Sequence, residues 1–418
     1  MTSSEDDETY WSTTADEETT GIAKSGSRPE VDGATMLATL HSGIPVILAM
    51  RPYQNAAAIP ALIRQLAAHN KGKVTLGAIA PLNHIKPDDP TEFLPGCTGA
   101  TLKIADPVTY LFHGDNSTKK KPTKVRWPYQ TSSTDEIKTD SWAESVGQAQ
   151  RDVGANLILS PGNWKPAEEA EVEINLEVEQ FEAISKQSND KETCALNLTL
   201  GSTWLTQERT RDTLLESIVA TQPAAVYMRV LWPKLAHNYA SLSDVSILKG
   251  YKEICETLSQ EDIPLLLPDT DLTGWYLLAF GATGFGTGVT SGARAFKPDQ
   301  AGGAGAPRKP RYFQPGMLHT VLKTEQTLIE STISGTVCSC PYCAFSRSTN
   351  IWTPAAEGGH HLNRISDLTS DISNRKTRRA SAKSTIIKAA EFTANVMRQI
   401  PLESNSQPSH LSQWEQLF

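Results

Sequence analysis

Eight short aliphatic runs, alternating with longer stretches whose apolar residues recur at helical spacing, constrain this chain more than any other feature. They are IPVILAM from Ile44, KVTLGAIA from Lys73, ATLKIAD from Ala100, NLILSPG from Asn156, CALNLTL from Cys194, AVYMRVL from Ala225, IPLLLPD from Ile263 and GFGTGVT from Gly284. Runs this short and this apolar are strands buried on both faces. The stretches between them, such as NAAAIPALIRQLAAHN, SWAESVGQAQRDVGA, TQERTRDTLLESIVA and LSDVSILKGYKEICETLS, read as amphipathic helices. Strand and helix in alternation mean an α/β fold with a parallel sheet. An open doubly wound sheet gives the same alternation, but eight units in about 250 residues favour closure into a TIM-type (β/α)8 barrel. The barrel is expected over residues 33–295.

The 418 residues, 39% hydrophobic and 21% charged, suffice for one large core or two ordinary ones. A net charge of −8 argues against a surface that binds nucleic acid or anionic lipid as a whole, and leaves room for local basic patches. Residues 1–32 are acidic and rich in Ser and Thr, the composition of a disordered tail. They lack a signal peptide's basic start and apolar centre, and no apolar run reaches bilayer-spanning length, so a cytoplasmic protein with no membrane partner is expected.

Two stretches interrupt the rhythm. A polar insertion at 113–140 carries Lys119, Lys120, Lys121, Lys124 and Arg126 beside Trp127 and Tyr129. Cations interleaved with aromatics can grip a nucleic-acid backbone and stack a base; a solvated loop is the plainer reading. AGGAGAPRKPRYFQPG from Ala301 has the composition of a linker. Residues 296–400 read as an appended subdomain with terminal helices, and 401–418 as a tail. Within that region the basic run NRKTRRASAK from Asn374 is either a partner-binding element or a solvated face.

Cys97, Cys194 and Cys255 are scattered and read as buried small hydrophobes. Cys338, Cys340 and Cys343 are different: C-x-C-x-x-C lets three thiolates converge on one tetrahedral ion. His360 and His361 follow Cys343 by 17 and 18 residues, and either can supply the fourth ligand. A Cys3His set has no open position, so the expected Zn2+ is structural. Free thiols, a redox pair and an iron–sulfur cluster are the alternatives, the last lacking a fourth nearby cysteine.

A barrel followed by this knuckle and a helical histidine resembles the tRNA-guanine transglycosylase family. CSCPYCAFSRS is similar to the family's Cys-x-Cys-x-x-Cys-x-x-(Phe/Tyr)-Ser-Arg stretch, and HHLNRI to the His-x-Leu that opens its terminal helix. The resemblance spans most of residues 40–400, with the knuckle as its specific part. It implies that His360 is the fourth ligand, with His361 second. It also implies that Asp106, in LKIADPVTYLF, matches a catalytic carboxylate, and that the activity is exchange of guanine for a 7-deazaguanine in nucleic acid. In the family a second Asp, in a Phe-Asp context after the last strand, attacks the ribose anomeric carbon. Here Phe285 is followed by Gly286, and no carboxylate lies between Asp271 and Asp299. Where relatives read the guanine edge with an Asp this chain has Asn163, and where they have paired glycines it has Arg229 and Trp232.

Two functions follow, beside a third in which the barrel only binds a free nucleobase or a modified protein. One is a divergent base-exchange enzyme of pentosyltransferase type, with tRNA or DNA as partner and a relocated nucleophile drawn from Asp269 or Asp271, which stand where barrel active sites are built. The plainer role for these two residues is a helix cap. The other is a non-catalytic accessory subunit, a pseudoenzyme in a homo- or heterodimer or with another protein partner, serving a nucleobase-modification system that includes defence settings.

Overall fold

The computed structural model describes residues 32–52, 56–85, 93–112, 127–130, 135–189, 191–233, 235, 241–290, 294–296 and 309–418. The acidic run 1–31, Lys119, Lys120, Lys121, Lys124 and Arg126 of the polar insertion and the glycines at 302, 303 and 305 lie outside the described residues.

All eight expected strands form: β1 Val46–Met50, β2 Thr75–Pro81, β3 Leu102–Asp106, β4 Leu157–Leu159, β5 Thr193–Gly201, β6 Val226–Leu231, β7 Leu265–Leu267 and β8 Gly284–Gly288. Each runs parallel to its sequence neighbour; Leu157 opposite Thr193 joins β4 to β5, and Val46 opposite Gly284 returns β8 to β1. The sheet is therefore a closed TIM barrel, and the open doubly wound alternative is excluded.

Alternation along the strands sorts the side chains. Val46, Leu48, Ile79, Ile104, Leu159 and Leu266 point inward and share a cluster with Met36 and Leu40. Those two come from the Gly33–His41 helix, which Asp32 starts by accepting the Thr35 N–H at 2.7 Å. The helix closes the N-terminal end of the barrel, where Thr193 at the start of β5 bonds the Gly33 carbonyl. Outward residues pack under helices at Ala58–Asn70, Asp140–Asp152, Glu208–Thr221 and Val245–Gln260. Each fully buried aliphatic side chain contributes about 1.5–3 kcal/mol. A further helix, Ala170–Ser185, escaped the sequence pattern because its buried face includes Glu177 and Gln180, which break the apolar stripe.

Beyond the barrel, an antiparallel hairpin of Arg311–Gln314 and His319–Leu322 precedes helices at Lys323–Thr332, Pro341–Thr349, Pro354–Asp371, Arg378–Gln399 and Leu411–Gln416. The hairpin's first strand lies inside the stretch read as a linker; its four residues are all buried. The Pro354–Asp371 helix lies directly against the barrel. Gly358 makes this contact close, since a Cβ there would stand 2.5 Å from Val289 Cβ just after β8. Residues 401–418 correct the expectation of a tail: Trp414 is fully buried, stacks on Tyr276 at 4.6 Å and donates to the Leu242 carbonyl at 2.9 Å. Among the described residues no helix is long and apolar enough to cross a membrane.

Candidate metal centre and barrel mouth

Cys338, Cys340, Cys343 and His360 converge, with their four ligand atoms within 4.8 Å of one another. His360 Nδ1 is 3.3 Å from Cys340 Sγ, 3.4 Å from Cys343 Sγ and 3.9 Å from Cys338 Sγ. A tetrahedral ion with metal–sulfur bonds of about 2.3 Å and a metal–nitrogen bond of about 2.05 Å has a sulfur–nitrogen edge of about 3.6 Å. These distances bracket that value, so the residues fit one metal ion.

The surroundings prepare the ligands. His360 Nε2 donates to the Phe313 carbonyl at 2.8 Å, which leaves the Nδ1 lone pair facing the sulfurs. The Tyr312 ring stacks on His360 at 4.2 Å, and its hydroxyl lies 3.6 Å from Cys343 Sγ. Cys340 N–H donates to Cys338 Sγ, and Arg347 holds the Cys338 carbonyl at 2.7 Å. The Pro341–Thr349 helix starts directly after Cys340 and sets Cys343 in its first turn, where the positive end of the helix favours thiolate.

His361 is occupied elsewhere, and this separates the two histidines. Its Nε2 donates to Asp271 Oδ1 at 2.8 Å, and the Thr287 hydroxyl bonds the same oxygen. Burial, followed by the nearby Arg294, lowers the His361 pKa to about 4 despite Asp271. Burial works against the Asp271 charge, but His361, Arg294 and Thr287 together hold its pKa at about 2. Asp271 is thus neither a helix cap nor a free carboxylate. It ties the helix that carries His360 and His361 to β8.

At the C-terminal mouth of the barrel lies a second buried constellation. Arg229, on β6, is fully buried and ion-pairs with Asp106 at the end of β3. Tyr227 O–H donates to Asp106 Oδ2 at 3.3 Å and the Val108 N–H to Oδ1 at 3.0 Å. Arg229 Nε is 3.8 Å from Asp269 Oδ2, so one cation serves two carboxylates. Aromatic faces complete its cage: the guanidinium carbon lies 4.8 Å from the Tyr110 centroid and 5.8 Å from that of Phe296. Backbone strain gathers here, with Val108 at φ 49°, Asp269 at 54° and Asp271 at 46°.

Burial, with repulsion from Asp106 and against the attraction of Arg229, pushes the Asp269 pKa up to about 6. Between its ordinary value of 3.8 and this raised value, the folded chain keeps a proton that the unfolded chain has released. Stability therefore falls as pH rises through that window. Relative to Asp269→Asn, the wild type is expected to lose on the order of 2–3 kcal/mol between pH 4 and 7. Urea unfolding across that range checks this; parallel profiles for the two proteins would contradict it.

The structure does not bring the other named residues into this group. Asn163 bonds Gln180 on an outer helix at 3.4 Å, and Trp232 donates to Tyr251 on another at 3.1 Å. Both side chains are thus engaged by outer helices and make no hydrogen bond to the Arg229 group among the described residues. Trp127 and Tyr129 are buried, donating to the Leu82 and Pro107 carbonyls, so neither is presented for base stacking. Tyr227 and Tyr110 are the site residues that sequence reasoning missed. Tyr227 was accessible through period-two alternation with Arg229, and Tyr110 only through the fold.

No protein-family model and no curated protein matches the chain. Solved structures that align with it are distant. A chain assigned as a fructose-1,6-biphosphate aldolase from Coccidioides immitis is 11% identical, covering 84% of this chain and 96% of that one at a TM-score of 0.36. A protein assigned as a tagatose 6 phosphate kinase from Sinorhizobium meliloti is 9% identical over 89% and 97%, at 0.33. Dihydrodipicolinate synthase from Oceanobacillus iheyensis is 9% identical over 91% and 86%, at 0.25. At such scores none bears on what this chain does; the barrel assignment rests on its own strand pairing.

Proposed function

We propose that this chain is a transglycosylase-like barrel, stabilised by a structural zinc, that has given up base exchange and serves as an accessory, partner-binding subunit of a nucleobase-modification system. The Arg229–Asp106 ion pair carries this reading. A carboxylate committed to a buried guanidinium is neither a free base nor a free nucleophile, and the caged guanidinium fills space that a planar base would need. Support comes from Gly286, the position matching the family's nucleophile. A Cβ there would stand 2.8 Å from Pro268 Cα, so no carboxylate fits without moving the backbone. Zinc is favoured over other ions because three thiolates and an imidazole in a closed tetrahedral set are its habitual structural ligands.

A relocated-nucleophile enzyme is the second reading, favoured by Asp269, whose raised pKa of about 6 and strained backbone suit an acid–base residue. One experiment separates the two: incubation with labelled guanine or 7-deazaguanine and either tRNA or DNA. The accessory reading expects no incorporation by the wild type. Incorporation that disappears in Asp269→Asn or Asp106→Asn would establish the enzyme.

A further inference from the structure

At the N-terminal end of the barrel, opposite Asp106 and Asp269, lies a cavity of ≈ 240 Å³ lined by His41, Ser259, Asp262, Arg375, Arg378 and Arg379. Three guanidiniums face a single carboxylate among these lining residues. That carboxylate, Asp262, is 78% exposed and turned toward His41 at 3.4 Å.

Each arginine is differently placed. Arg378 is 7% exposed and donates to the carbonyls of Ile372, Gly43 and Ser373 at 2.9, 2.6 and 3.0 Å. Carbonyl dipoles orient it, but no carboxylate among the described residues neutralises it. Burial, and then repulsion from Arg375, lowers its pKa to about 10. Arg379 pairs with Glu256 at 3.0 Å and lies over the Phe280 ring. Arg375 has no hydrogen bond or ion pair among the described residues, and its stem crosses Gly43, where a Cβ would be 3.2 Å from its Cδ. Its fork is left to the cavity.

The Arg378–Gln399 helix adds to the field. It has no side-chain cap and no acidic residue in its first turn, and it starts with two arginines where the helix dipole is already positive. Among the described residues Glu256 pairs with Arg379, but no carboxylate pairs with Arg375 or Arg378; a bound dianion would compensate these two. The volume lies below that of drug-sized ligand pockets, and suits a phosphate with a small organic group.

We propose that this cavity binds a small phosphate monoester by its phosphate group, with the Arg375 fork making the direct bidentate contact and Arg378 with the helix start supplying the fixed positive field. The proposal is independent of how the barrel mouth is read.

Calorimetric titration of the metal-loaded full chain with inorganic phosphate and, separately, with ribose 5-phosphate tests it, at ionic strength held constant with chloride. Saturable one-to-one binding is expected, with a rise in thermal midpoint of about 1–3 °C near saturation. Arg375→Ala, at an exposed position, should weaken binding about tenfold or more, and Arg375→Lys should weaken it less. Circular dichroism and metal content verify that both variants are folded. Absence of saturable heat with both ligands, or an unchanged affinity in Arg375→Ala, overturns the proposal. So does binding of tRNA or DNA through Arg375 that neither small anion displaces, since the patch would then read a nucleic-acid backbone.

Discussion

Cys343→Ser is expected to strip the chain of its metal and to lower its unfolding free energy by about 3–5 kcal/mol. Three thiols and an imidazole within 4.8 Å form a favourable arrangement only around an ion; without one, thiolates repel and thiols leave a polar pocket unfilled. The loss spreads beyond the knuckle because the helix that carries His360 also carries His361, whose bond to Asp271 reaches the barrel. Metal analysis per chain together with guanidinium unfolding measures both effects. His360→Gln should behave like Cys343→Ser, whereas His361→Gln should keep stoichiometric metal and lose only stability. The reverse pattern would exchange the roles of the two histidines.

Arg229→Leu is expected to destabilise the fold by about 3–5 kcal/mol, because it leaves Asp106 and Asp269 buried without their shared cation. The penalty comes from the orphaned charges more than from the missing contact. Adding Asp106→Leu and Asp269→Asn to Arg229→Leu should therefore recover most of the loss, as an apolar replacement of a buried ion pair often does. Urea denaturation of the single and triple variants tests this. A single variant as stable as the wild type would mean that Arg229 does not hold these carboxylates, and with it would fall the main support for a barrel closed to base exchange.

Much of this architecture was legible locally. A strand buried on both faces needs only a few consecutive aliphatic residues, so all eight strands could be read, including β5, whose nine residues are all buried. The cysteine ligands were legible for the same reason, since six residues of chain hold all three. Local reading went wrong where alternation was ignored or broken. Tyr227 and Arg229 face into the barrel, so Trp232, of opposite parity, faces out toward Tyr251. Asn163 has inward parity with Leu157 and Leu159, but Gly162, at φ 73°, turns the chain and delivers it to Gln180. The buried C-terminal helix was missed although Leu411, Trp414 and Leu417 recur at helical spacing, because so short an apolar pattern is weak by itself and its partner Tyr276 lies 138 positions away.

The sequence by itself determined the alternation that builds the barrel, the three clustered thiols of the candidate metal centre and the absence of a carboxylate after β8. All of these depend on residues close together in the chain, where periodicity and spacing act directly. Only the tertiary structure decided which histidine faces the sulfurs and where the carboxylates are spent. Asp271 meets His361 across 90 positions and Arg229 meets Asp106 across 123, so those pairings exist only once the barrel has closed and the last helices have packed against it.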